Sequence, residues 1–169
     1  MNMSMIPSNI LDLLQEQYKH ETKNYLRYLV RASWARYRGL EGAGDFFEKE
    51  ADGEKAHAEQ VRKYIEDRNE ALNPIGLVYD EPANFGKFID IFQTALAIER
   101  ETTERLSTIH AEAMKAMDLI TAIWVQPLIY EQIEEENLYT TALDRFGIRG
   151  VDIASDHDID CWIASRLKG

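Results

Sequence analysis

The feature that most narrows the choice of fold is the placement of the helix breakers. The chain holds only nine glycines and four prolines in 169 residues, and most of them fall where four long stretches begin or end. Such punctuation predicts an all-α protein. Segment A runs from about Ser8, read as an N-cap, to Arg38 before Gly39, and segment B from about Glu41 to Asn69. Segment C runs from about Asn84 to Met114, and segment D from about Asp118 to Phe146, stopped by Gly147. The tight A–B and C–D joints make two antiparallel hairpins. Between B and C lies a non-periodic connector, Glu70 to Ala83, with Pro74, Gly76, Pro82 and an apolar patch at Ile75, Leu77, Val78 and Tyr79. A helix of about 28 residues is roughly 42 Å long, and about 14 extended residues reach roughly 45 to 50 Å. The connector is therefore able to run the full length of the bundle and set B parallel to C, the one-crossover arrangement of four-helix bundles. A short fifth helix is expected at about 155–167, after a bundle at about 8–146. The length suits one domain spanning 1–169, at roughly 150 residues per domain.

Each long segment carries a stripe with alternating steps of three and four, the pattern of a helix facing a core. The stripes read Leu14, Tyr18, Glu21, Tyr25, Tyr28 in A and Phe47, Glu50, Glu54, His57, Val61 in B. In C they read Phe92, Ala95, Glu99, Thr102, Leu106, and in D Leu128, Gln132, Glu135, Tyr139. All four are interrupted near the helix midpoint by ligand-type residues, and antiparallel packing brings those midpoints to one level. A single carboxylate on a stripe is commonly a surface position or half of an ion pair. Four at one depth, with no Lys or Arg on the stripes beside them, require a cation, because an unpartnered buried carboxylate costs on the order of several kcal/mol. Glu21, Glu54, Glu99 and Glu135 supply four negative charges, which two divalent ions neutralise, with His57 and Gln132 as uncharged ligands. Glu54 and His57 stand three apart and share a helix face. Carboxylate with imidazole suits Fe(II) or Mn(II), with zinc as a competitor.

Composition removes other classes. Thirty acidic residues against nineteen basic ones give a net charge of -11, which repels phosphate backbones, so no nucleic-acid partner is expected. The single cysteine, Cys161, rules out an internal disulfide, a four-thiolate zinc site and an iron-sulfur cluster, and fits a reducing compartment. At 45% apolar and 10% aromatic the chain is too rich in core-forming residues for disorder. Met1 to Asn9 lacks the basic and apolar regions of a signal peptide, and no stretch reaches the roughly 18 apolar residues of a membrane span, so a cytoplasmic, membrane-free protein is expected.

These residues resemble the ferritin family, with the nearest likeness to bacterial non-haem ferritins, over about residues 11 to 147. The matching stretches are Leu14 to Glu21 (LQEQYKHE), Trp34 through Gly39-Leu40-Glu41-Gly42, Phe46 to His57, and Glu131 to Glu136 (EQIEEE). The resemblance implies a ferritin-like bundle with an intra-subunit di-iron ferroxidase centre holding two irons. Glu21, Glu54 and His57 would form the first position, Glu54 would bridge, and Glu99, Gln132 and Glu135 would serve the second. Tyr28 matches the family's tyrosine beside the centre; its plain alternative is a core aromatic. The family reading also implies Fe(II) oxidation by O2 or H2O2, storage of ferric mineral, and a homo-oligomeric cage of 24 subunits.

The departures from the pattern are informative. Where fixed-cofactor di-iron enzymes and haem-binding bacterioferritins carry a second Glu-x-x-His, this chain has Gln132-x-x-Glu135, which favours iron in transit over a resident cofactor. Segment B has no methionine to ligate haem, so none is expected. Many bacterial ferritins have a third iron site with a Glu just before the bridging one; here that residue is Gly53, leaving Glu131 and Glu134, with Glu50 one turn earlier as a partial replacement. Gly53 costs about 1 kcal/mol against Ala in a helix interior. Pro127 removes an N–H from segment D and is expected to bend it. His20 and His110 are expected at the surface, and the acidic run around His157 as the first turn of the last helix. Two rivals stand beside the storage reading: a di-iron oxidase or peroxide-detoxifying protein of the same fold, and a non-catalytic helical scaffold.

Overall fold

The computed structural model of the chain describes residues 5–78, 81–150 and 153–166. Five helices account for the regular structure among them: α1 (Ser8–Tyr37), α2 (Glu41–Asp67), α3 (Phe88–Lys115), α4 (Leu119–Arg149) and α5 (Ile153–Arg166). The expected all-α, four-helix bundle with a short C-terminal helix is what the chain forms. None of the described helices is long and apolar enough to cross a membrane.

The core comes in two parts. One joins the end of α1, the starts of α2 and α3, the end of α4 and two residues of α5, through Tyr28, Phe47, Phe92, Tyr139, Phe146 and Ile159 among others. The second joins the start of α1, the ends of α2 and α3 and the start of α4, through Leu14, Val61, Leu106 and Val125. This grouping fixes directions: α2 and α3 run parallel, and the connector between them must travel from one end of the bundle to the other. It does so along α1. Gln15 Nε2 donates to the Ala71 carbonyl (2.8 Å) and Gln15 Oε1 accepts from Asn73 N–H (3.0 Å). Farther on, Glu81 pairs with Arg27 and Arg31 (both 2.9 Å), and Trp34 Nε1 donates to Asn84 (3.3 Å). Of the expected apolar patch, Ile75 and Leu77 are half-buried and Val78 is exposed; Tyr79 lies outside the described residues, as does Leu167 at the end of the expected fifth helix.

Several boundaries differ from expectation, each for a local reason. Pro7, not Ser8, holds the N-cap position of α1: its carbonyl accepts from Ile10 and Leu11, and no side chain caps the helix. Gly147 does not stop α4, which continues to Arg149; the glycine with a left-handed backbone is Gly150 (φ 81°). α3 begins at Phe88 rather than Asn84, because Asp90 Oδ2 accepts the Lys87 N–H (2.9 Å) and marks the first turn there. The chain stays helical through Pro127.

The start of α2 has no side-chain cap of its own. Instead Asp160 of α5 accepts from the N–H groups of Gly42 (3.0 Å) and Ala43 (2.7 Å). Gly42 permits that approach: a Cβ there would stand 2.3 Å from the Asp160 carbonyl oxygen. Thus a helix N-terminus that local sequence leaves uncapped is capped from 118 residues away.

Candidate metal centre

Between the two apolar clusters lies a polar layer drawn from all four long helices. Glu21 and Glu54 are 2% and 5% exposed, Glu99 and Gln132 1% and 2%. A buried side chain from each helix therefore meets at the level where the stripes are interrupted, as their spacing predicts. Glu21, Glu54 and His57 each offer a ligand atom, all within 4.8 Å of one another, in an arrangement able to hold a metal ion. Among the described residues this is the cluster of that kind; Glu99 and Glu135 stand nearby without closing a second one.

The second group is held by hydrogen bonds. Tyr28 OH donates to Glu99 Oε1. The Gln132 amide, turned with its nitrogen toward Glu99, donates to the Glu99 carbonyl (2.9 Å) and to Oε2 (3.2 Å). Glu135 is half-buried and faces Glu50, which also accepts from Tyr139 OH (3.2 Å). Glu131 and Glu134 are exposed, with Glu131 Oε2 3.2 Å from His57 Nε2.

The electrostatics are those of an uncompensated acidic cluster. Burial, then the nearby Glu21 carboxylate, holds the Glu54 carboxyl well above its usual range. Burial pushes Glu99 up to about 8 despite the hydrogen bond from Tyr28, and burial with the charge of Glu135 pushes Glu50 up to about 9. Burial also raises the Tyr28 and Tyr139 phenols, so both are neutral donors. The nearest buried cation, Arg31, is 2% exposed and is spent on Glu81 and Thr94. Oε2 of Glu21, Oε2 of Glu54 and Oε1 of Gln17 are buried with no protein donor. Orphaned carboxylate oxygens beside an imidazole are a donor set suited to a hard or borderline divalent cation.

Several contributors are not evident from the stripes. Gln17 (1% exposed) donates from Nε2 to Glu21 Oε1 at 2.6 Å; its i, i+4 spacing from Glu21 is the signal that was available. Thr103 links α3 to Glu136 (2.6 Å). His20 is a correction: it is buried rather than at the surface, 2.8 Å from Thr102 Oγ1, and burial lowers its pKa to about 4. It faces α3, one step round the helix from Glu21, and closes the layer on that side with Asn24 and Thr102. His110 is half-buried beside Gln126.

Comparison with known proteins agrees with this architecture. The family model of the ferritin-like domain matches residues 11–147. A bacterial non-heme ferritin from Staphylococcus aureus is 27% identical over 140 residues, covering 83% of this chain and 84% of that protein. One from Staphylococcus saprophyticus is 28% identical over 149 residues, covering 88% of each. Among solved structures, an open pore ferritin from the archaeon Archaeoglobus fulgidus superposes with a TM-score of 0.89 at 22% identity, covering 95% of this chain and 99% of that one.

Proposed function

The chain belongs to the ferritin-like domain family, and from that premise we propose that it is an iron-storage ferritin that oxidises Fe(II) at a two-iron centre within each subunit. The observation that carries the proposal is the buried cluster of Glu21, Glu54 and His57, whose ligand atoms lie within 4.8 Å and in which Oε2 of each glutamate has no protein donor. Iron is substrate and cargo here, not a resident cofactor. Glu21 and His57 hold one Fe(II), Glu54 bridges, and Glu99, Gln132 and Glu135 receive the second. Each Fe(II) gives up one electron; O2 takes the pair with two protons and becomes H2O2, or H2O2 takes the pair with two protons and becomes two waters. Tyr28 holds Glu99 by hydrogen bond and keeps its orientation as charge builds. Ferric product then passes to mineral inside a closed shell of 24 copies in the cytoplasm.

The chemistry of the second position favours transit over retention. Gln132 offers an amide where a resident di-iron cofactor has an imidazole, and an amide oxygen binds iron more weakly. A scaffold role would leave the buried acids without a purpose to offset their desolvation.

Aerobic addition of Fe(II) to the apoprotein, followed by ferric absorbance and by sizing of the product, tests the reading. Oxidation well above the buffer rate and a large iron-filled particle are expected. Glu54→Ala should lower the initial rate by at least tenfold; an unchanged rate would show that the centre lies elsewhere.

A further inference from the structure

Gly53 lies in the interior of α2, one residue before Glu54 and more than ten from either helix end. Glycine there costs about 1 kcal/mol relative to alanine, and neither of its common structural reasons applies. Its backbone is not among those with positive φ, and a Cβ would meet nothing within 4 Å. The contrast lies on the same helix: a Cβ on Gly42 would strike Asp160, and one on Gly44 would stand 2.5 Å from Arg36 Cγ. Those two glycines make room for neighbouring protein. Gly53 leaves room for something else.

That space is a pocket of about 260 Å³ between α2 and α4, lined by Glu50, Gly53, Glu54, His57, Glu134 and Glu135, with Lys49 and Leu138 also on its wall. It reaches two members of the metal cluster directly. One is Glu54, 95% buried, whose Oε2 has no protein donor. Three other approaches are closed. Toward one end of the bundle Tyr28, Phe47, Phe92 and Tyr139 are packed ring against ring, all fully buried. Toward the other, Leu14, Val61 and Leu106 fill the core. On the α1–α3 side Gln17, His20, Asn24 and Thr102 are each 5% exposed or less and tied to one another or to Glu21. Two surface pockets on that side reach Gln17 and His20 but none of the six expected ligands.

We propose that Gly53 is the lateral port by which a hydrated divalent cation reaches Glu54 and His57, passing between α2 and α4. Six waters at about 30 Å³ each amount to roughly 180 Å³, which the pocket accommodates. The carboxylates of Glu134 and Glu135 favour a cation over an anion on that path. The inference rests on the metal centre proposed above and adds the route to it.

Stopped-flow loading of the assembled, full-length apoprotein with Co(II), whose visible absorbance reports carboxylate and imidazole ligation, separates route from site. Gly53→Phe should slow the association rate constant at least tenfold while the equilibrium Kd stays within about threefold. Gly53→Ala should fall between wild type and Gly53→Phe, while Gln60→Phe, about two turns along the same helix, should load within about twofold of wild type. Both Gly53 variants gain helix propensity, and circular dichroism checks that helical content is retained. Wild-type loading rates in Gly53→Phe would overturn the port while leaving the centre in place, as would a loss of affinity with no change in association. Absence of Co(II) binding in the wild type would overturn the centre and the port together.

Discussion

At the scale of residues, the proposed centre holds buried carboxyls, Glu54 and Glu99, whose charged form burial disfavours. Burial and mutual repulsion keep Glu54 above its ordinary range and Glu99 near about 8, with no buried Lys or Arg free to oppose the shift. The sign follows. Below about pH 8 the Glu99 carboxyl is protonated in the apoprotein, and a divalent cation must expel that proton to bind its oxygen. Metal affinity should therefore rise with pH, by about tenfold per unit for each proton displaced, and flatten above about pH 8. Co(II) titrations between pH 6 and 9 measure the slope, and calorimetry in two buffers of different ionisation enthalpy counts the protons. An affinity that ignores pH over that range would contradict the protonated apo state. Gln17 belongs to the same scale. Its bond to Glu21 fixes one carboxylate oxygen and leaves the other facing Glu54 and His57, so the ligand is oriented before metal arrives.

At the scale of elements, the best legible features were the ones written in periodicity. Steps of three and four placed Glu21, Glu54, Glu99 and Gln132 on core faces, because a helix turns by a fixed angle per residue and the code is local. What remained illegible depends on partners distant in sequence. His20 sits next to a core position and looks like surface until α3 covers it. Gly147 looks like a stop, but of the two glycines at the end of α4 it is Gly150 that adopts the left-handed backbone. The uncapped start of α2 reads as a weak helix end until α5 supplies Asp160, 117 and 118 residues away. That tertiary cap leads to a prediction. Asp160 is 6% exposed and accepts two N–H groups, so Asp160→Ala should destabilise the fold by about 1–2 kcal/mol, as the loss of an N-cap does. Denaturant unfolding measures the change, and Asp160→Asn, which keeps one acceptor oxygen, should recover part of it. A silent Asp160→Ala would mean that solvent satisfies the start of α2 equally well.

At the scale of the whole molecule, the polar layer is a weakness that metal converts into a joint. The apolar cluster around Phe47 and the one around Val61 are divided by buried acids whose desolvation is offset only in part, by donors from Gln17, Tyr28 and Gln132, while the connector clasps the outside through Glu81, Arg27 and Arg31. In the proposed centre, metal at Glu21, Glu54 and His57 would tie α1 to α2 within that layer, and the second group would tie α3 to α4. A ligand that binds only the native state stabilises it by RT ln(1 + [L]/Kd), about 2.7 kcal/mol at a hundred times Kd. For a chain of this length each kcal/mol moves the melting temperature by roughly 2–4 °C, so saturation with Co(II) should raise it by about 5–11 °C. Scanning calorimetry on apo and loaded protein reads the shift. In Glu54→Ala the shift should vanish, while the apoprotein itself should melt no lower than wild type, because the substitution removes a buried carboxyl with an unsatisfied oxygen. A variant that melted lower and kept its metal-induced shift would place the stabilising ion outside the layer that joins the two halves of the bundle.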